Sequence, residues 1–415
     1  MKIDSANVAF ILICTALVFL MTPGLAFFYS GLERRKNTLN TLMSCLFICG
    51  LGSILWIAFG YSLSFGADHN GFIGGLEHLF FNGVGLEPNE VYSGTIPESL
   101  FATFQMMFAI ITPALICGSI AGRMKFSTLF VFIGIWSVIV YYPMAHMVWG
   151  DGGLLKELGA VDFAGGNVVH ISSGITGLIA SILLGKRHGY GILPYKPHNI
   201  PFVVLGAGLL WFGWFGFNGG SALAADGLAV HAFLTTHVSA AAALLSWMVI
   251  EKMFHGKPTV LGAATGGVVG LVAITPGAGF VPVWSALIIG GLVSPICYFT
   301  MSTVKSKFGY DDALDAFGCH GIGGIWGGIA TGIFTMKSIN PAAKWDGLLY
   351  GSTELFSAQI ISVIITVAYS GIASFAILII LKKVMALRVT KEEELLGLDI
   401  AQHSESAYPA FTGLD

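Results

Sequence analysis

The stretch DFAGGNVVHISSGITGLIA, residues 162–180, sets a carboxylate at the head of an apolar segment and a histidine eight residues inside it. A second stretch, DALDAFGCHGIGGIWGGIATGIF, residues 312–334, does the same: Asp312 precedes His320 by eight. The register continues past each histidine, with glycine four residues on (Gly174, Gly324), glycine at seven (Gly177, Gly327), alanine at ten (Ala180, Ala330) and then Ser181 or Thr331. Glycine is abundant here, 55 of 415 residues, so a match at one or two glycines carries no weight. An acid, a histidine and three small residues in one register do, and they mark an internal repeat.

Working outward, 55% of the chain is hydrophobic and only 10% charged, where a water-soluble domain carries about a quarter. The solvent this sequence expects is lipid. Eleven apolar runs, each about the length that crosses a hydrocarbon core of about 30 Å as a helix, span 8–28, 39–64, 99–120, 128–147, 163–184, 201–223, 229–250, 259–274, 283–301, 313–334 and 356–381. The first reads as a span rather than a signal peptide, because it is long and the single lysine before it, Lys2, is offset by Asp4. The fold class expected is an all-α integral membrane protein of eleven transmembrane helices.

Loop charge sets the orientation, since lysine and arginine collect in cytoplasmic loops. Sixteen of the twenty, from Arg34, Arg35 and Lys36 to Arg388 and Lys391, fall in loops on one side, leaving Lys2, Lys156, Lys337 and Lys344 for the other. The expectation is an amino terminus outside, a carboxyl terminus in the cytoplasm, and a multi-pass protein of the cytoplasmic, or inner, membrane. The net charge of −3, with no basic patch interleaved with aromatics, argues against a nucleic-acid partner. All six cysteines lie in apolar runs without metal-type spacing and read as small core residues.

If helices one to five (about 8–185) and six to ten (about 201–335) are the two copies, each has an odd number of spans and the second must be inverted. Inverted repeats build transporters whose sites lie near the bilayer midplane. Eight residues of helix rise about 12 Å, close to half the core. Starting from opposite faces, His170 and His320 are therefore expected to converge at the centre.

A lone histidine at that depth reads as a core group bonded to a carbonyl, and that reading is kept for His146 and His237. A symmetric pair reads as a pathway, because polar side chains there are expensive. Asp162 and Asp312 read first as caps accepting from the free N–H groups of a first helical turn. Asp162 also lends negative potential to the outer mouth, and Asp315 serves structure.

With these residues in view, the chain resembles the ammonium transporter family, the bacterial and archaeal Amt and fungal Mep proteins related to the Rhesus glycoproteins. FYSGLERRKN, FQMMFAIITPALI, AHMVWGDGGLL, DFAGGNVVHISSG, WFGWFGFNGGSA, GKPTVLGAATGG and DAFGCHGIGGIWGG, in this order, carry the resemblance over nearly the whole chain. It implies a homotrimer of eleven-helix protomers, each with its own pore through a membrane unit of 1–385, followed by a cytoplasmic tail of 386–415. It implies that Trp149 and Ser221, with Phe108 and Asp162 beside them, recruit the cation; that Phe108 and Phe217, with Phe104 behind, form the gate; and that His170 and His320 line the pore and relay protons. The substrate implied is ammonium or ammonia, taken up electrogenically, with no cofactor, no metal and no catalytic residue.

The chemistry accounts for buried imidazoles. Ammonium losing its water in an apolar tube can shed a proton, which potassium cannot, and paired imidazoles can share one, one ring donating while the other accepts. Two other classes stay open. One is an ammonium sensor, the receptor part of a longer signalling protein, which the reading frame beyond Asp415 would decide. The other is a redox protein with two histidines as axial haem ligands, which a featureless visible spectrum would eliminate. The basic loops and Glu392, Glu393 and Glu394 on the cytoplasmic face are where a PII-type signal protein would dock.

Overall fold

The computed structural model describes residues 2–193 and 195–408, so the last seven residues of the expected tail lie outside the described residues. Among the described residues nine helices are long and apolar enough to cross a membrane. They are α1 (Ser5–Leu32), α2 (Arg35–Phe65), α3 (Glu98–Ile120), α4 (126–149), α5 (Gly166–Leu184), α6 (Ile200–Ala222), α7 (Gly227–His255), α9 (Val283–Phe308) and α11 (Thr353–Val384). Two shorter helices, α8 (Val260–Ile274) and α10 (317–334), stand where the eighth and tenth runs fall. The order matches the eleven runs of the sequence.

Each helix of the first repeat that begins or ends it packs on its counterpart in the second. Along α1 and α6 the contacts run in opposite senses: a methyl at Gly24 would meet Leu209 Cβ at 2.9 Å, one at Gly31 Val203 N at 2.8 Å, and one at Gly213 Leu17 O at 2.7 Å. Glycine lets the backbones touch, the way small residues drive helix association where there is no water to expel. Helices α5 and α10 cross likewise, with Gly174 against the backbone of Gly321, and a methyl at Gly324 would meet Ile171 Cγ1 at 3.0 Å. Helices of the two copies thus meet in pairs around a centre, as inverted repeats do.

The two histidine helices begin later than their apolar runs. The runs open at 163 and 313, the helices at 166 and 317. The residues between are lead-in backbone: Gly165 has φ +117° and Asp315 φ +58°, while Ala313 and Leu314 donate to Ser119 O and Gly118 O at 3.3 and 2.9 Å. Hydropathy cannot separate buried coil from buried helix, so the runs overshoot.

His146 keeps the structural part assigned to it, its ring bonded to Ser64 O at 3.1 Å and Asp68 Oδ1 at 2.9 Å. His237 does not. It is exposed on the outer flank of α7, against the rings of Trp211 and Phe215 at 5.5 and 6.0 Å, so it is no core histidine.

The amino terminus shares a face with the 66–97 loop, where Asp4 N donates to Thr95 O at 2.9 Å. The tail lies on the opposite face. There Lys125 N donates to Leu387 O and Val389 N to Arg123 O, both at 3.0 Å. Two short helices follow, α12 (Lys391–Leu396) and α13 (Leu398–His403); Glu394 of α12 accepts from Arg388 at 2.6 Å and from His188 N at 2.6 Å.

On this face Arg187 clasps Asp311 with Nε and Nη2 at 3.0 and 2.9 Å, both side chains almost wholly buried. Burial pushes the Asp311 carboxyl up, but the Arg187 hydrogen bonds and charge outweigh it and hold the group below its usual range. Arg187→Ala leaves a buried carboxylate without its fork and is expected to cost about 3–5 kcal/mol. In wild type the depressed acid stabilises above its unfolded pKa and loses that only as pH falls through the folded one, whereas in the variant burial acts on the carboxyl without the fork and it takes up a proton first; the gap in unfolding midpoint should therefore be widest near pH 8 and narrow as pH falls. A gap that widens as pH falls would contradict it.

Candidate functional site

One string of rings descends from the amino-terminal face to the centre. Trp149, at the end of α4, is fixed by its Nε1–H donating to Asp162 O at 2.9 Å. Its ring centroid stands 5.9 Å from that of Phe108, edge to face; Phe108 stands 4.3 Å from Phe217, with Phe104 behind it at 5.0 Å. Phe217 is 6.1 Å from His170, and His170 is stacked on His320 at 5.3 Å with the rings 19° apart. The expected site residues therefore meet, from α3, α4, α5, α6 and α10.

Above the phenyl pair is a cavity of about 220 Å³ lined by Trp149, Ser221, Phe108 and Gln105, among others. Ser221 Oγ–H donates to Phe217 O at 2.8 Å, so its lone pairs stay free to accept. Phe108 and Phe217 are both buried and close the floor.

Asp162 does not face this cavity. Its Oδ1 accepts from Gly165 N and Gly166 N at 2.8 and 2.6 Å, its Oδ2 from Asn167 N at 2.7 Å. The carboxylate is consumed by capping α5, and what Asp162 gives the cavity is the carbonyl that fixes Trp149. Asp312 caps α10 in the same way, accepting from Phe317 N at 2.9 Å, and Asp315 pairs with Lys305 at 2.8 Å. Of the residues expected to recruit the cation, Asp162 is thus the one that does not line the cavity, its carboxylate being turned to the head of α5.

Below the phenyl pair lies a narrow cavity whose walls include Met21, Leu25, Ile111, Leu115 and Val268, with His170 and His320 as its only titratable lining among the described residues. Both nitrogens of His170, and Nδ1 of His320, are buried without a hydrogen-bond partner among the described residues. An unpartnered buried polar group costs about 1–3 kcal/mol and calls for an explanation. The glycines at the crossing of α5 and α10 set the two rings beside each other.

Both histidines sit in widened π-type turns, Gly166–Ile171 and Phe317–Ile322. Such turns recur in α2, α4 and α9, so the turn alone marks nothing. Sequence reasoning missed Trp214, stacked on His170 at 5.3 Å and held by its Nε1–H donating to Thr275 Oγ1 at 2.9 Å. The only signal was its place one turn before Phe217 on the same helix.

With this geometry described, a family model described as Ammonium Transporter Family matches residues 9–408. An ammonium transporter of Bacillus subtilis is 50% identical over 402 residues, covering 97% of this chain and 98% of that protein. The crystal structure of Saccharomyces cerevisiae Mep2 superposes with a TM-score of 0.88 at 37% identity, covering 94% of this chain and 89% of the other. A structure described as a sensor Amt protein superposes with a TM-score of 0.87 at 30% identity, covering 96% and 98%.

Proposed function

The chain belongs to the ammonium transporter family, and from that premise we propose that it carries ammonium across the cytoplasmic membrane through the histidine-lined cavity. The observation that carries the reading is the stacked His170–His320 pair, three of its four nitrogens buried and unpartnered among the described residues, in an otherwise apolar cavity at the foot of a ring-lined path.

The steps follow from the residues. The cation rests against the Trp149 ring, where cation–π attraction gives about 0.5–2 kcal/mol or more, and Ser221 Oγ accepts one of its N–H bonds. Phe108 and Phe217 must part to admit it. In the apolar cavity the ion cannot keep its charge cheaply; it gives a proton to the imidazole pair and continues as ammonia, and the proton leaves by its own route. Net charge then crosses with each ammonium.

We place the basic face, with the tail, in the cytoplasm, treat 1–385 as the transporting unit and 386–415 as its tail, and read the assembly as a homotrimer. The same face is where a PII-type protein would dock.

Current recording on a supported membrane tests the proposal. Ammonium jumps should evoke a current that equal potassium jumps do not; ammonium binding without current would favour the sensor reading, which the likeness to a sensor Amt protein keeps in view. Trp149→Leu and Ser221→Ala should raise the half-saturating concentration more than they lower maximal current, Trp149→Leu by about five- to thirtyfold if about 1–2 kcal/mol is lost. Wild-type half-saturation in either variant would refute the recruiting role.

A further inference from the structure

The cavity that holds Trp149, Ser221 and Phe108 has another lining residue, Lys156. It sits on a short helical turn, Leu154–Glu157, pinned by Leu154 N donating to Gly71 O at 2.8 Å and by the buried Leu155. Its Nζ stands 3.9 Å from Asp151 Oδ1, with the two side chains 43% and 69% exposed. That separation is beyond hydrogen-bond reach, and an exposed pair of this kind contributes almost nothing to folding. The fold therefore has little stake in Lys156. Its position has consequences for the cavity instead, because the other walls include Phe65, Phe101, Phe108 and Phe163, and apolar walls concentrate the field of a charge at the rim.

We propose that Lys156 is an affinity-setting residue: a fixed positive charge on the rim of the cation cavity that opposes recruitment, with Asp151 drawing the ammonium group aside and partly cancelling it. The inference rests on reading this cavity as the first resting place of ammonium. It follows from sign and place. A lysine ε-ammonium carries the charge of the substrate and repels it, the more strongly the less water lies between. Trp149 and Ser221 attract through contacts at a fixed site, which salt barely alters, whereas a rim charge acts through solvent and is screened. The two contributions can therefore be separated by ionic strength.

The test measures the half-saturating ammonium concentration of purified, reconstituted protein at about 10 mM and about 1 M sodium chloride, where the Debye length is about 30 Å and about 3 Å. Lys156→Gln should lower half-saturation about two- to tenfold at low salt and by less than about twofold at high salt. Asp151→Asn should raise it at low salt, and Lys156→Arg, which keeps the charge, should match wild type. Unchanged half-saturation in Lys156→Gln at low salt, or a shift equally large at high salt, would overturn the inference. Occupancy is read in parallel from the ammonium-dependent rise in unfolding midpoint, which needs no current. Wild-type protein that shows the rise and no current defeats the transport reading alone, and the same comparison of variants still decides the part of Lys156.

Discussion

Replacing His170 and His320 together by leucine is expected to abolish ammonium-selective current while the protein folds as well as before. Among the described residues the two imidazoles are the only titratable side chains lining the cavity, so on the proposed relay their loss leaves nothing there to take the proton from ammonium. Potassium leak through the variant would not count against this, since the prediction concerns proton handling rather than closure. Folding should survive because three of the four imidazole nitrogens have no hydrogen-bond partner to lose. Replacing an unpartnered buried polar group by an apolar one of similar size is neutral or stabilising, so the unfolding midpoint should hold or rise. Either single variant keeps one imidazole and should be milder. Undiminished, ammonium-selective current in the folded double variant would sink the relay.

What made this centre legible was recurrence. Asp and His at one spacing, twice, with small residues in register, cannot be produced by lipid solubility; they marked the repeat, and the odd number of spans in each copy then made it inverted and brought the rings together. The phenylalanines were not legible in that way: 31 are present, most at home in lipid, and only the family resemblance singled out Phe108 and Phe217 before α3 and α6 were seen to bring them 4.3 Å apart. Trp214 was illegible for want of any counterpart in the other copy. Asp162 shows the limit of position as a guide, because direct contact with a cation needs a carboxylate oxygen facing the cavity, and here three backbone N–H groups turn both oxygens to the head of α5. His237 shows the same limit for burial: an apolar run does not say which flank of its helix meets neighbours, and this one faces outward.

The tail should matter to transport although its described residues hydrogen-bond to the loops and helix starts of the basic face rather than to His170 or His320. Gly397, between α12 and α13, has φ +111°, and a Cβ there would stand 2.7 Å from Lys36 Cβ and 2.8 Å from Lys36 O. Gly397→Val therefore meets both a backbone conformation that costs a side chain about 1–3 kcal/mol and a collision with backbone that cannot step aside. What it would dislodge is a set of bonds on the first turns of α2: Leu398 N to Asn37 Oδ1 at 2.9 Å, Asn40 N to Asp399 Oδ1 at 2.8 Å, and Lys36 Nζ to Glu394 O at 2.9 Å. Two residues separate these turns from the end of α1, the helix whose Met21 and Leu25 form part of the wall of the histidine cavity. Spatial continuity alone does not establish coupling, so function must decide. Gly397→Val, or a chain cut after Arg388, is expected to lower ammonium current severalfold with expression and unfolding midpoint of the membrane unit little changed. In a homotrimer whose protomers are coupled through this tail, mixed assemblies with one cut subunit should lose more than a third of their current. A loss strictly proportional to the cut fraction would show that each pore acts alone, and full current in Gly397→Val would show that the tail's grip on Lys36 and Asn37 is only a tether.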